Sequence, residues 1–358
     1  MKVGFKHSFS VSECAVRDLY TRLWSRPIAL TDKIFYEWQF IFPPDNDLSD
    51  HCVIAVVDEC VVGVMGLNVR SFSLAGSKKK GAELTTWVVD PDFSGRGLGS
   101  KMLAFIQSEF DVLIGMGITE QALPIYMKMG FSFLGSIPRF LRVNDHTIVE
   151  KFGSASKLGR QLIKKRQLEI TPSILVYEVD WIQELDITSE FNSFDRSSKS
   201  LNWRYSAHPY FKYHSVKVEL SGRLCFVVFR IEDCGDFKIM RVVDILGSPN
   251  NYDVALKFID NYLVENNIGL ADFFCTSSKV NSHLISSKWF SVMDDTCVQF
   301  PHLFQPIELR NPSTTSLVYW SKSDQLSLCD FSNMYISKSD ADFDRPTMAS
   351  INVQSSFE

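Results

Sequence analysis

From His51 the chain runs as "HCVIAVVDECVVGVMGLNVRSFSLAG", two or three strands rich in β-branched residues with a turn at Asp58-Glu59. "SKKKGAELTTWVVD" follows after a basic loop, so the pattern predicts an antiparallel meander. The stretch "DPDFSGRGLGSKML", Asp90 to Leu103, then leads into a helix on which Met102, Leu103, Phe105, Ile106 and Phe110 recur at helical spacing. "DVLIGMG" reads as a short buried strand. "TEQALPIYMKMGF" reads as a second helix that starts near Thr119 or Glu120, tolerates Pro124 in its first turns and stops at Gly130, before strand "FSFLGSI".

The second half repeats this grammar. Strand "FKIMRVVDILG" (237–247) precedes helix "NYDVALKFIDNYLVENN", with Tyr252, Ala255, Leu256, Ile259, Tyr262 and Leu263 on one face, and then "LADFFCTSS", "KVNSHLISSK" and "WFSVM". A duplicated α+β unit explains the repetition. The duplicate lacks the glycine stretch: where the first half has SGRGLGS, the second has GSPNN. Between the halves, "KFGSASKLGRQLIKKRQ" (151–167) holds six basic residues and no acidic one, either a solvated connector or a phosphate-contacting surface. The expected division is residues 1–150, a linker at 151–170, a second domain at 171–346 and a frayed tail at 347–358.

A length of 358 residues and a 45% hydrophobic content suit two domains with sizeable cores. The formal net charge of -5 provides no global basic field for nucleic acid or an anionic membrane, so any anion site is local. The N-terminus lacks the apolar run of a signal peptide and no stretch is long and apolar enough to span a bilayer, which leads to the expectation of a cytoplasmic protein. The eight cysteines have no CxxC spacing and read as buried reduced thiols. The seven histidines form no ligand cluster, so no metal is expected.

A strand, a glycine-rich turn and a helix in succession aim unpaired backbone N–H groups at an anion. Gly95, Gly97 and Gly99 allow positive φ or close approach, and Arg96 offers a charge-assisted contact. The nucleotide P-loop pattern fails because no lysine directly follows Gly99, and the dinucleotide fingerprint fails because Ser100 stands where glycine is needed. A purely structural glycine turn remains open.

"VVDPDFSGRGLGSKML" followed by "ALPIYMKMGFSFLG" resembles the signature of the GCN5-related N-acetyltransferase (GNAT) superfamily. Gly97 and Gly99 match the glycines of its (Q/R)xxGx(G/A) loop, with Ser94 in place of the usual glutamine or arginine, and Tyr126, Gly130 and Phe131 match YxxxGF. The resemblance implies tandem GNAT-like domains, each a mixed, mostly antiparallel sheet flanked by helices. It implies acyl-CoA as cosubstrate, its pyrophosphate on the N–H groups of Ser94, Gly95, Arg96, Gly97, Leu98, Gly99 and Ser100, and its pantetheine on the strand edge at Val88 and Val89. An amine attacks the thioester directly, a backbone N–H near Val88 stabilises the oxyanion, and Tyr126 protonates the departing thiolate. Glu83 is the first candidate for the base that neutralises the amine, Asp244 on the corresponding strand of the second unit is another, and His208 a third.

Two later stretches stand out. "LNWRYSAHPYFKY" groups Trp203, Arg204, Tyr205, His208, Tyr210 and Tyr213, which offer stacking faces and donors. "YISKSDADFDRP" groups Asp340, Asp342, Asp344 and Arg345, and its lack of the required glycine and distal glutamate excludes a calcium loop. Both resemble segments of two-domain GNAT enzymes that acylate nucleotide-linked amino-dideoxy sugars, often dTDP sugars, for bacterial surface polysaccharides. On that resemblance Trp203, Tyr205 or Tyr210 stacks on the base, and Arg204, Arg345 or the basic linker meets the diphosphate. His208 lies in the same group. The donor is acetyl-CoA or 3-hydroxybutyryl-CoA. The implied partners are these two small molecules, with no nucleic acid or membrane, and a homodimer is allowed. The alternatives are transfer to a peptide or peptidoglycan precursor and a non-catalytic sensor of CoA or a sugar nucleotide.

Overall fold

The computed structural model describes residues 3–183, 190–293, 297–304, 307–309, 313–340, 344–348 and 351. Strand β1 (Val3–His7) is followed by helices α1 (Glu13–Leu23) and α2 (Lys33–Phe40), then by the meander β2 (Val53–Val57), β3 (Cys60–Leu74) and β4 (Ser77–Val89). The β3–β4 hairpin closes on Ala75 and Gly76, both at positive φ, the geometry that suits the right-handed twist of long strands. Helix α3 (Leu98–Glu109), β5 (Val112–Met116), α4 (Leu123–Lys128) and β6 (Ser132–Leu134) complete the first unit's contiguous part. Met102, Leu103 and Ile106 of α3 and Phe110 just beyond it pack on Met65, Leu67, Leu84 and Leu113, as their helical spacing predicts.

Strand β7 (Arg139–Val143) then leaves this sheet. It pairs antiparallel with Leu270–Phe274 in the second sheet, and its place between β5 and β6 of the first sheet is taken by Leu317–Ser321 from near the other end of the chain. The first sheet runs β1-β2-β3-β4-β5-(317–321)-β6, and the second runs (290–291)-β7-(270–274)-(237–246)-(223–234)-(214–220)-(175–178). In each sheet one parallel pair stands among antiparallel ones, β4 with β5 and Phe237–Leu246 with Leu270–Phe274. The two units are therefore structural duplicates that exchange one strand.

This exchange corrects the expected division of the chain. A boundary at 151–170 assigns β7 to the first domain and 317–321 to the second, whereas each completes the other sheet. The physical reason is that "RFLRV" and "SLVYWS" are equally good strands, and only tertiary pairing decides their sheet. The connector is also structured: α5 (Thr147–Phe152) and α6 (Lys157–Lys165) occupy most of it. Beyond it, Met348 and Ile351 of the expected tail pack with α1 and α2, while 352–358 lie outside the described residues.

Between the units runs a buried ion network. Asp340 takes Arg196 at 2.7 Å and Arg70 at 3.2 Å. Asp344 takes Arg230 at 2.8 Å, and Asp272 takes Lys338, Arg139 and Arg241. Charges this far from water persist because each has an opposite partner.

All eight cysteines are free thiols, but Cys14 and Cys60 are exposed, against the expectation of burial throughout.

Candidate functional site

Strands β4 and β5 pair from Gly81–Val112 to Leu84–Gly115 and then part. The register of β4 against β3 slips by one residue between Leu84 and Trp87, a bulge at Thr85-Thr86 that turns the rest of β4 away from β5. Thr86, Trp87, Val88 and Val89 thus line a splay that widens toward the glycine loop.

The direction of their backbone groups follows from the ladder. Asp90 N–H donates to the Val62 carbonyl at 2.8 Å, so these opposed residues form a hydrogen-bonded pair. Pairs alternate in an antiparallel ladder, so Val64 and Val88 form the next one. The N–H groups of Trp87 and Val89 therefore face the splay, and that of Val88 faces β3. Val88 therefore turns its N–H to β3 and not, as expected, to the splay, and Val89 turns its own toward the splay.

At the mouth of the splay, Gly95 and Gly97 both adopt left-handed φ, 71° and 72°, and Gly97 is the N-cap of α3. A side chain there would enter open space, so the backbone conformation, not crowding, demands glycine. The amides of Leu98, Gly99 and Ser100 occupy the first helical turn, where no intrahelical acceptor exists. Ser94 to Gly97 are exposed, and the Arg96 guanidinium lies 5.3 Å from the Phe93 ring centroid. Gly99 has a different role: a β-carbon there would stand 2.6 Å from Cζ2 of Trp87, so its absence lets α3 press on β4.

Tyr126 of α4 is 3% exposed, edge-on to Trp87 at 5.6 Å and to Phe131 at 5.0 Å. Burial pushes its hydroxyl well above its ordinary pKa, which keeps the proton on and suits a donor. On the opposite face of the sheet, Glu83 is buried at the apex of the splay, opposite Asn68, whose amide donates to it at 3.4 Å.

The loop, Val89 and Tyr126 thus gather around one splay, with Glu83 behind it. Asp244 does not join them. It is fully buried, accepts from Arg196 at 2.8 Å, from Tyr335 at 2.7 Å and from Tyr205 at 2.9 Å, and holds the units together. Burial raises its pKa against the pull of Arg196.

The aromatic segment is corrected in the same way. Trp203 stacks on Trp38 at 5.1 Å, and each indole N–H donates to the other residue's carbonyl. Arg204 donates to the Ser339 carbonyl and the Tyr213 hydroxyl and pairs with Asp344, and Tyr205 donates to Asp244 and accepts from the Ser339 hydroxyl. His208 Nδ1 accepts from the amides of Tyr210 and Phe211, and burial, followed by Arg204, pushes its pKa well down, so it is a neutral cap. These four side chains are buried core supports: the polar atoms of Trp203, Arg204 and Tyr205 are partnered inside, as is His208 Nδ1, while His208 Nε2 has no partner among the described residues. Tyr210 is half-buried and donates to Asp32, the N-cap of α2. Arg345 alone of the six reaches the splay, where its guanidinium donates to Thr86 Oγ1 at 3.3 Å. Asp342 lies outside the described residues.

Sequence reasoning missed Trp87 and the pair Tyr335 and Ser337. The second sheet also parts after Arg241–Asp272, but there Tyr335 accepts from the Ile245 N–H at 3.0 Å while it donates to Asp244, and Ser337 donates to the Val243 carbonyl at 3.0 Å. The chain's own segment fills the second splay. Alternation along β4 could have placed Trp87 on the α3 face; no local signal marks Tyr335.

Among the described residues no His, Cys, Asp and Glu side chains are grouped to hold a metal ion, and no helix is long and apolar enough to cross a membrane. Residues 15–131 match the model of the acetyltransferase (GNAT) family. No curated protein sequence matches the chain significantly. The fold is similar to that of a probable N-acyltransferase from Enterococcus faecalis, with 11% identity over 88% of this chain and 72% of that one and a TM-score of 0.55. It is similar to a GCN5-related N-acetyltransferase from Anabaena variabilis, at 10% identity, the same two coverages and a TM-score of 0.52. It is also similar to Saccharomyces cerevisiae N-myristoyltransferase with bound myristoyl-CoA, at 11% identity over 88% of this chain and 82% of that one, with a TM-score of 0.52. The splay, the glycine loop and the match to the acetyltransferase (GNAT) family model thus fall in the same unit, and the solved structures show that the chain has the GNAT fold.

Proposed function

We propose that the first unit transfers an acyl group from acyl-CoA to the primary amine of a nucleotide-linked amino sugar, with the second unit forming the acceptor side. The observation that carries the donor half is the asymmetry of the two splays: the first keeps a glycine cradle and Tyr126, and Tyr335 and Ser337 fill the second.

In this reading the amides of residues 95–100 hold the pyrophosphate and the open edge at Trp87 and Val89 pairs with the pantetheine. The same edge donates to the thioester oxygen as it gains charge. Glu83 draws a proton from the acceptor ammonium, and Tyr126 returns one to the sulfur as it leaves. The acceptor approaches on the Glu83 face. Arg345 is the cation beside Thr86 that suits an acceptor phosphate, and half-buried Tyr210 is the aromatic that remains for a base. Trp203, Arg204, Tyr205 and His208 act behind them as supports.

The test is thiol release from acetyl-CoA and 3-hydroxybutyryl-CoA against a panel of dTDP-, UDP- and GDP-amino sugars. Turnover is expected with a dTDP-amino sugar and a rise in KM for it in Arg345→Ala. Silence across the panel, with release on peptide amines instead, overturns the sugar acceptor.

A further inference from the structure

The basic connector is absorbed by neither the splay nor the ion network, and it builds a cavity of its own. Helices α5 and α6 and the turn between them enclose about 460 Å³, lined by His146, Val149, Glu150, Ser154, Arg160, Ile163 and Lys164 among others. That volume lies in the range of small-molecule sites.

Its walls are held in place by specific contacts. Ser154 and Ala155 pair with Gln299 and Val298, and Ser156 N–H donates to the Cys297 carbonyl at 3.1 Å. Ser156 also caps α6 by accepting from Gly159 N–H at 2.9 Å. Gly153 is required because a β-carbon would stand 2.6 Å from the Gln299 carbonyl, and Gly159 because α6 lies directly against the Cys297 carbonyl. The two glycines thus hold this stretch closely against residues 297–299.

The chemistry of the lining is divided. Val149 and Ile163 are buried and form an apolar floor, together with Ala155. Arg160 and Lys164 lie four residues apart on α6, on one helical face, with His146 on the α5 side. Among the described residues Glu150 is the one carboxylate of the lining. In a chain of net charge -5, this is a local cationic rim over an apolar floor.

We propose that this cavity binds an organic phosphate of nucleotide size, with the phosphates on Arg160 and Lys164 and the flat apolar portion on Val149 and Ile163. The guanidinium and ammonium supply charge-assisted bonds, and the floor selects for an organic body over a bare anion. The site is separate from the glycine loop and does not rest on the identity of the acceptor.

The probe is 8-azidoadenosine diphosphate, photo-crosslinked to the full chain and mapped by peptide mass spectrometry. Saturable labelling is expected between residues 146 and 164, unaffected by excess CoA and competed by ADP far better than by inorganic phosphate. In Arg160→Glu/Lys164→Glu the half-saturating concentration should rise roughly tenfold or more, from loss of two charge-assisted contacts. Both side chains are exposed, and an unchanged circular dichroism spectrum verifies the fold of the variant. Labelling confined to residues 94–101, labelling unchanged in the double variant, or equal competition by inorganic phosphate each overturns the proposal.

Discussion

A β-carbon on Gly99 would stand 2.6 Å from Cζ2 of Trp87, so the helix that presents the cradle and the strand that presents the splay are in direct contact through one missing side chain. Gly99→Val forces α3 off β4 and should cost about 1–3 kcal/mol by overpacking, while weakening CoA because the cradle amides move with the helix. Gly97→Ala meets open space and strains only the backbone, by roughly 1–2 kcal/mol. Calorimetric titration with CoA beside thermal unfolding distinguishes them. Unchanged CoA affinity in both variants refutes the loop assignment.

Tyr126 packs edge-on against the same indole, and its hydroxyl is the acid. Tyr126→Phe retains the ring and should lower kcat about 10²- to 10⁴-fold with little change in CoA affinity. Because burial raises its pKa, the tyrosine is protonated below its ordinary value and deprotonates only above it. No alkaline loss of activity below pH about 10 should therefore trace to this residue. An alkaline limb in that range that disappears in Tyr126→Phe overturns the raised pKa, and an unaltered kcat in Tyr126→Phe removes the residue from the acid role.

What was legible in the sequence is what local backbone chemistry dictates. Gly95 and Gly97 announced a positive-φ turn, and Met102, Leu103 and Ile106 announced the helix that follows it. The strand exchange was illegible, because Arg139–Val143 and Leu317–Ser321 have ordinary strand sequences and their partners are remote. The group Trp203, Arg204, Tyr205 misled for a related reason. Aromatics beside cations look alike in a ligand site and in a core, and what tells them apart here is Asp344 and Ser339, over a hundred residues away.

The ion network makes a different prediction, about stability. Asp340→Asn leaves Arg70 and Arg196 buried with reduced compensation and should cost about 3–5 kcal/mol in denaturant unfolding. Burial alone would raise the carboxyls of Asp340 and Asp344, but Arg196 and Arg70 on the first, and Arg230 and Arg204 on the second, hold both below the usual range. Groups with depressed folded pKa stabilise above the unfolded value near 3.9, and that stability fades as pH falls through their folded values. Asp244, whose pKa is raised, works in the opposite sense. Wild-type stability should therefore drop more steeply below pH 4 than that of Asp340→Asn, measured by urea midpoints against pH. Parallel curves exclude Asp340 from the acid response.

The second splay sets the stoichiometry. Tyr335 and Ser337 occupy its open strand edge, so titration should give one CoA per chain. Removing them should not create a second site. The turn that follows Phe237–Leu246 offers Gly247 alone at positive φ, and its Pro249–Asn251 turn runs directly into the helix at Tyr252, whereas the first unit sets Gly95 and Gly97, both at positive φ, between Pro91–Phe93 and the helix at Leu98. Tyr335→Phe/Ser337→Ala should thus still bind one CoA, with a loss of stability because Asp244 and the Ile245 backbone lose partners. Two CoA per wild-type chain overturns the assignment of donor and acceptor units. Two per variant chain shows that the segment alone, and not the missing cradle, closes the second unit.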